Sequence, residues 1–231
     1  MTVVSGPTGP EYTLVANQII EEAFDLCGVG SEGEPISADQ YQRALRSLNL
    51  LIKAWGAEEH LWLRTETTVT MAGGTAEYTL DPKPMRVIEV RRNNIVSGID
   101  TPLTQWAREQ YTEMPNKASQ SIPTAFYYDP QKSTGTLYVW PSPSTATASQ
   151  FQLKLTYLRQ FDNFNDSNDQ ADMPQEWQFA LAYALADELA LKYGVTPRIA
   201  SIISQRAALY KAQINSWDTE PASLFLQPEM R

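Results

Sequence analysis

The run YQRALRSLNLLIKAW at 41–55, followed by LWLRTETTVTM at 61–71, changes its periodicity within a few residues. In the first part Tyr41, Ala44, Leu45, Leu48, Leu51, Ile52 and Trp55 recur at three- and four-residue spacing, the single apolar stripe of an amphipathic helix. Ser37 and Gln40 stand at capping-box spacing, so the helix begins at Ala38, and it ends near Gly56. The second part is rich in threonine and β-branched residues, which favour a pleated strand. A helical region therefore gives way to a β region at about residue 61.

Upstream of this boundary, residues 13–27 predict another helix. Ala16, Ile19, Ile20, Ala23, Leu26 and Cys27 lie on one face and Glu21, Glu22 and Asp25 on the other, with Gly28 and Gly30 at the capping end. Downstream, short β-rich runs lie at 63–71, 76–80, 85–92, 125–128, 136–140 and 150–158, and a short helix is expected near 103–112. Ala72-Gly73-Gly74-Thr75 reads as a hairpin turn, and Phe151, Leu153, Leu155 and Tyr157 alternate with polar neighbours.

After the acidic loop 162–172 the helical period returns. Pro174 suits a first-turn position, and Trp177, Leu181, Ala184, Leu185 and Leu189 form a stripe before Gly194. Alanines at 180, 182, 184, 186 and 190 leave room for a neighbouring helix. Thr196 and Pro197 then open a last helix as cap and first residue, continued by Ile199, Ile202, Ile203, Leu209, Tyr210, Ile214 and Trp217.

The fold class expected is α+β. An antiparallel helix bundle is built from the N- and C-terminal helices, with an inserted antiparallel β-sandwich-like domain and an extended C-terminal arm. The divisions are 1–60, 61–160, 161–218 and the arm 219–231, which is polar except for Leu224, Phe225 and Leu226. The leader MTVVSGPTGPEYT lacks the basic and apolar regions of a signal peptide and reads as flexible.

A net charge of −9, from 27 acids against 18 bases, argues against a dedicated nucleic-acid binder but not against a surface past which DNA slides. No apolar run is long enough to span a bilayer. One cysteine, Cys27, excludes an internal disulfide, fits a reducing compartment and reads as a packed core thiol. The lone histidine, His60, beside Glu58 and Glu59, reads as a solvated helix-end residue. The loop from Asp162 to Asp169 fails the EF-hand pattern, with Ser167 where glycine and Met173 where the bidentate glutamate belong. No phosphate loop or nucleophile elbow occurs, so no catalytic residue, cofactor or metal site is expected. Arg86, Arg91 and Arg92 form one basic cluster, read with Glu89 as a subunit salt-bridge surface rather than a nucleic-acid patch. The six tryptophans read as core or interface packing.

The layout resembles the bacteriophage head-to-tail adaptors, also called tail accessory factors or tail tubular protein A-like proteins. The helix at 44–55 followed by Leu61-Trp62 is similar to that family's "LN-LLK-W … LW" passage into its β region. Pro123–Tyr128 and Leu137–Pro143 resemble its central hairpin, and Ala171-Asp172-Met173-Pro174 before Trp177 resembles the "D-L-P" start of its third helix, with Met for Leu. The resemblance implies a ring, commonly a dodecamer, below the portal and above tail nozzle or tube proteins, with double-stranded DNA passing through the lumen. It implies no membrane partner, a place in the virion after assembly in the bacterial host cytoplasm, and an arm that docks on the portal through Leu224, Phe225 and Leu226.

Two alternatives stand beside it. One is a tail or neck completion protein that contacts the nozzle instead of the portal. The other is a tail-associated cell-wall hydrolase. A retaining glycosidase holds two carboxylates about 5 Å apart. Glu58/Glu59 and Asp187/Glu188 are helix neighbours that point in different directions.

Overall fold

The computed structural model describes residues 13–29, 36–58 and 60–218. The leader at 1–12, Gly30 and the arm at 219–231 lie outside the described residues. Along the chain come α1 (Ala16–Cys27), α2 (Ala38–Trp55), β1 (Arg64–Thr70), β2 (Glu77–Leu80) and β3 (Arg86–Asn94). The short strands β4 (Asp100–Pro102) and β5 (Thr104–Gln105) precede α3 (Arg108–Glu113). Next come β6 (Gln120–Ser121), β7 (Ala125–Pro130), β8 (Gly135–Trp140) and β9 (Ser142–Pro143). Helix α4 (Thr145–Gln150), β10 (Phe151–Leu158), α5 (Gln175–Tyr193) and α6 (Pro197–Trp217) complete the order. The class is α+β. The described parts of Met1–Glu58 and Phe161–Arg231 make one compact unit, and those of Glu59–Gln160 make another.

In the helical unit α5 packs most extensively, against α6 and α1 above all and also against α2. Its sequence dictates this. Trp177, Ala180, Leu181, Ala182, Leu185, Ala186, Leu189 and Ala190 are all buried and point to every side of the helix. The single stripe expected from the sequence is thus too narrow, because a helix apolar all round belongs in the middle of a core. Small alanines bring neighbours close: Cys27 Sγ donates to the Ala186 carbonyl oxygen at 3.2 Å. Larger rings fill the ends, with Trp55 edge-on to Trp177 at 5.9 Å and Phe24 edge-on to Tyr193 at 5.3 Å.

The helix boundaries follow local chemistry. Ser37 Oγ accepts from Gln40 N, and Gln40 Oε1 accepts from Ser37 N, which closes the capping box on α2. Gly28 and Gly194 end α1 and α5 in the left-handed conformation, at φ 62° and 63°. Pro174 is the cap of α5 and not its first-turn residue: its extended ψ of 151° leaves it just outside the helix.

In the β unit, one sheet has the order β1-β10-β3-β4 and the second the order β2-β8-β7-β5. Val87, Val90, Leu153 and Leu155 of the first sheet share one core with Tyr78, Leu80, Phe126, Leu137 and Val139 of the second. Each such aliphatic side chain contributes about 1.5–3 kcal/mol when fully buried.

Three expectations are corrected here. The Ala72–Thr75 turn joins no hairpin, since β1 pairs with β10 and β2 with β8. It crosses from one sheet to the other. Gly73 allows the crossing, because a Cβ there would lie 2.7 Å from Thr145 Oγ1, and Gly74 N donates to the Pro143 carbonyl at 2.7 Å. The pairing is also not wholly antiparallel: β5 runs parallel to β7, and β6 parallel to β9. The alternation of β10 holds, with Phe151, Leu153, Leu155 and Tyr157 all on the core, while a register shift leaves Ile88 of β3 unpaired between Val87 and Glu89. The short helix is α3, which starts later than expected because Leu103 is buried in the core and 104–105 pair as β5.

Candidate functional site

Arg91 lies on the outward face of the first sheet, across the ladder from Lys154. Two like charges directly opposite are unfavourable unless an acid bridges them. Asp100 does so: its Oδ2 is 3.5 Å from Arg91 Nη1 and 3.3 Å from Lys154 Nζ. Glu66 from β1 takes Arg91 Nη2 at 3.2 Å, and Glu89 lies 3.8 Å from Arg91 Nε. Asn93 Nδ2 donates to Asp100 Oδ1 at 2.6 Å. That bond, then Lys154 and Arg91, holds the Asp100 carboxyl below its usual range, against the opposing effect of its partial desolvation.

The three arginines expected at a subunit face therefore have different surroundings. Arg91 forms its ion pairs within the chain. Arg92 Nη1 donates to the Pro123 carbonyl at 2.8 Å while its guanidinium lies 5.1 Å from the Phe151 ring. Burial lowers its pKa from the ordinary arginine value. Arg86, at the start of β3, is exposed.

His60 is corrected outright. It is 3% exposed, with its ring stacked at 5.8 Å on Trp62, so it is a packed side chain and not a solvated one. Cys27 is buried as expected, and burial together with the nearby Asp187 pushes its thiol up to about 11, away from nucleophilic use.

The acidic loop is largely turned on its own backbone. Asp169 Oδ2 accepts from Asn165 N at 2.6 Å and Asp166 N at 2.9 Å. Its carbonyls cap α1, where Ala16 N donates to Asp169 O and Asn17 N to Ser167 O. Among the described residues no group of three or more His, Cys, Asp or Glu is placed to hold a metal ion. Nor is any helix there long and apolar enough to cross a membrane.

Sequence reasoning missed several surfaces. The β3–β4 turn exposes Ile95, Val96 and Ile99, with Val96 92% exposed, where the sequence offered only a short run between strands. Trp217, placed on an apolar stripe by its spacing, is 89% exposed, and Ile202 and Leu209 on α6 are also exposed. Phe179 on α5 forms an aromatic trio with Tyr183 and Tyr210, with ring centroids about 5 Å apart. Trp106 and Trp140 pack together at 5.3 Å, and Tyr111, Tyr127 and Tyr138 stack on the outer face of the second sheet. Leu224, Phe225 and Leu226 lie outside the described residues.

A family profile described as SU10 adaptor protein matches residues 16–221, nearly the whole chain. The chain belongs to the SU10 adaptor protein family, and is thus of the bacteriophage head-to-tail adaptor type that its sequence resembles. No curated protein sequence matches it. Among solved structures it is similar to a chain of "Neck of empty GTA particle computed with C6 symmetry", with 13% identity over 80% of each chain and a TM-score of 0.31. That TM-score is too low for the likeness to bear on fold or function.

Proposed function

We propose that this chain is the structural subunit of a ring, a homo-dodecamer, that lies beneath the portal and connects the DNA-filled head to the tail. The observation that carries the reading is membership of the adaptor family across residues 16–221. In this reading the four long helices form a bundle into which the β unit is inserted as a sandwich, and 219–231 is the arm that docks on the portal through Leu224, Phe225 and Leu226. Tail nozzle or tube proteins attach below, and Arg86, the exposed arginine of β3, contributes with Arg91 and Arg92 to the contact between subunits.

Several features support a role made of surfaces. The apolar side chains exposed at Ile95, Val96, Ile202, Leu209 and Trp217 suit heterologous contacts between ring subunits. The net charge of −9 suits a lumen through which DNA slides at ejection without being gripped. The buried thiol with raised pKa and the packed histidine suit a protein without catalytic chemistry. Assembly in the host cytoplasm fits the single cysteine.

Sedimentation of purified protein with portal tests the reading. Comigration as a ring complex at micromolar concentration is expected, and deletion of 219–231 abolishes it. Failure of the full chain to comigrate overturns the portal assignment. Comigration that survives the deletion points instead to a neck protein held by another surface.

A further inference from the structure

A groove of about 730 Å³ runs between α1 and α5, and its lining includes Glu21, Glu22 and Asp25 of α1 with Glu176 of α5. None of the four carboxylates forms an ion pair among the described residues, and no Lys or Arg lines the groove. Asp25 stands in the last turn of α1, where the helix dipole disfavours an acid and no basic residue offsets it. The four acids are exposed, and Glu21 also accepts from Asn17 Nδ2 at 2.6 Å. Their mutual repulsion is modest but is relieved by a cationic partner.

The second observation is an amide. Gln178 is 3% exposed, and its Oε1 accepts from Leu14 N at 2.8 Å. Its Nε2 is buried with no hydrogen-bond partner. A donor left this way is destabilising until an acceptor meets it. Phe179, 48% exposed and held by Tyr183 and Tyr210, adds an aromatic surface to the same lining.

We propose that this groove binds an extended segment of a partner protein that carries Arg or Lys side chains. The cationic side chains meet Glu21, Glu22, Asp25 and Glu176, one guanidinium lies against Phe179, and a backbone carbonyl of the segment accepts from Gln178 Nε2. Leu14, whose N–H already holds Gln178 Oε1, and Gln178 both line the groove. A polyanion such as DNA is repelled by the same charges. The proposal depends on no part of the adaptor reading.

Fluorescence anisotropy of a labelled Arg-Leu-Arg-Leu-Arg peptide, titrated with the full chain, tests it. Saturable binding is expected. Glu22→Gln and Glu176→Gln each weaken it by up to about fivefold, as single exposed ion pairs do. Gln178→Met weakens it about fivefold, the worth of one ordinary hydrogen bond. Asp25→Asn weakens binding while raising the melting temperature, a pairing that a purely structural carboxylate does not produce. The proposal is overturned if the peptide does not bind, or if a Glu-Leu-Glu-Leu-Glu peptide or duplex DNA competes for the same site. It is overturned equally if Glu109→Gln, an exposed acid on α3, weakens binding as much as Glu22→Gln does. Glu22 and Glu176 are exposed, so those two variants decide the matter even if Gln178→Met fails to fold.

Discussion

Asn49 and Phe164 exchange a pair of hydrogen bonds: Asn49 Nδ2 donates to the Phe164 carbonyl at 2.9 Å, and Phe164 N donates to Asn49 Oδ1 at 3.0 Å. One turn further along α2, Lys53 Nζ donates to the Phe161 carbonyl at 2.7 Å. The Asn and Lys of the "LN-LLK-W" pattern thus fasten the returning chain to α2, and its Trp55 packs on Trp177. Asn49→Ala strips partners from both backbone groups of a buried residue and is expected to cost about 1–3 kcal/mol in urea unfolding. Asn49→Asp does no better, since it turns an oxygen toward the Phe164 carbonyl. A loss under about 0.5 kcal/mol in either variant would remove this role.

Gly135 opens β8 directly beneath Tyr128, and a Cβ there would run into the Tyr128 hydroxyl and ring. Tyr128 cannot simply retreat, because its hydroxyl donates to the Pro84 carbonyl at 2.6 Å. Gly135→Ala is expected to lower stability by about 1–3 kcal/mol, the usual penalty for overpacking. Adding Tyr128→Leu should recover part of that loss. Strict additivity of the two changes in thermal melts would show that they do not meet.

The thiol of Cys27 ionises in the unfolded chain near its ordinary value of 9.0, but in the folded chain only near 11. Between those values the unfolded state binds fewer protons than the folded one, so stability falls as pH rises through the window and levels off above it. The full effect is on the order of 2 kcal/mol. Cys27→Ala lacks the slope, and the gap between wild type and variant narrows across that range in denaturant titrations. A constant gap would contradict the assignment.

For Asp100 the sign is opposite. Its carboxyl is held low, first by Asn93, so it contributes stability above its unfolded pKa and loses it as pH falls through the folded value. Asn93→Ala is expected to move the Asp100 carboxyl upward in an NMR titration, with Lys154→Ala doing so less. No movement in Asn93→Ala would assign the low value to the cations alone.

The helices were legible because their signals are local. Ser37 with Gln40, Gly28 and Gly194 mark ends that need no knowledge of the rest of the chain. The sheets were legible as strands but not as pairings, since β1 finds its neighbour in β10, across the whole β unit. His60 shows a different limit: it stands between acids and Leu61-Trp62, and its spacing alone does not tell that its ring stacks on Trp62 and leaves the water. The basic cluster was visible on β3, yet the acids Glu66 and Asp100 that pair with Arg91 arrive from other strands. The groove could not be read at all, because α1 and α5 supply its walls from opposite ends of the chain.

The pairing of β1 with β10 has one more effect. Arg64 lies opposite Leu158, and Arg159 N donates to the Leu63 carbonyl at 3.0 Å, so the β unit starts and finishes on adjacent strands. It behaves as a cassette with a clasp. Its two ends stay about one strand spacing apart, near 4.8 Å, whatever happens in the turns beyond. The Ile95–Ile99 tip can therefore be lengthened, trimmed or exchanged while the clasp between Leu63 and Arg159 stays shut.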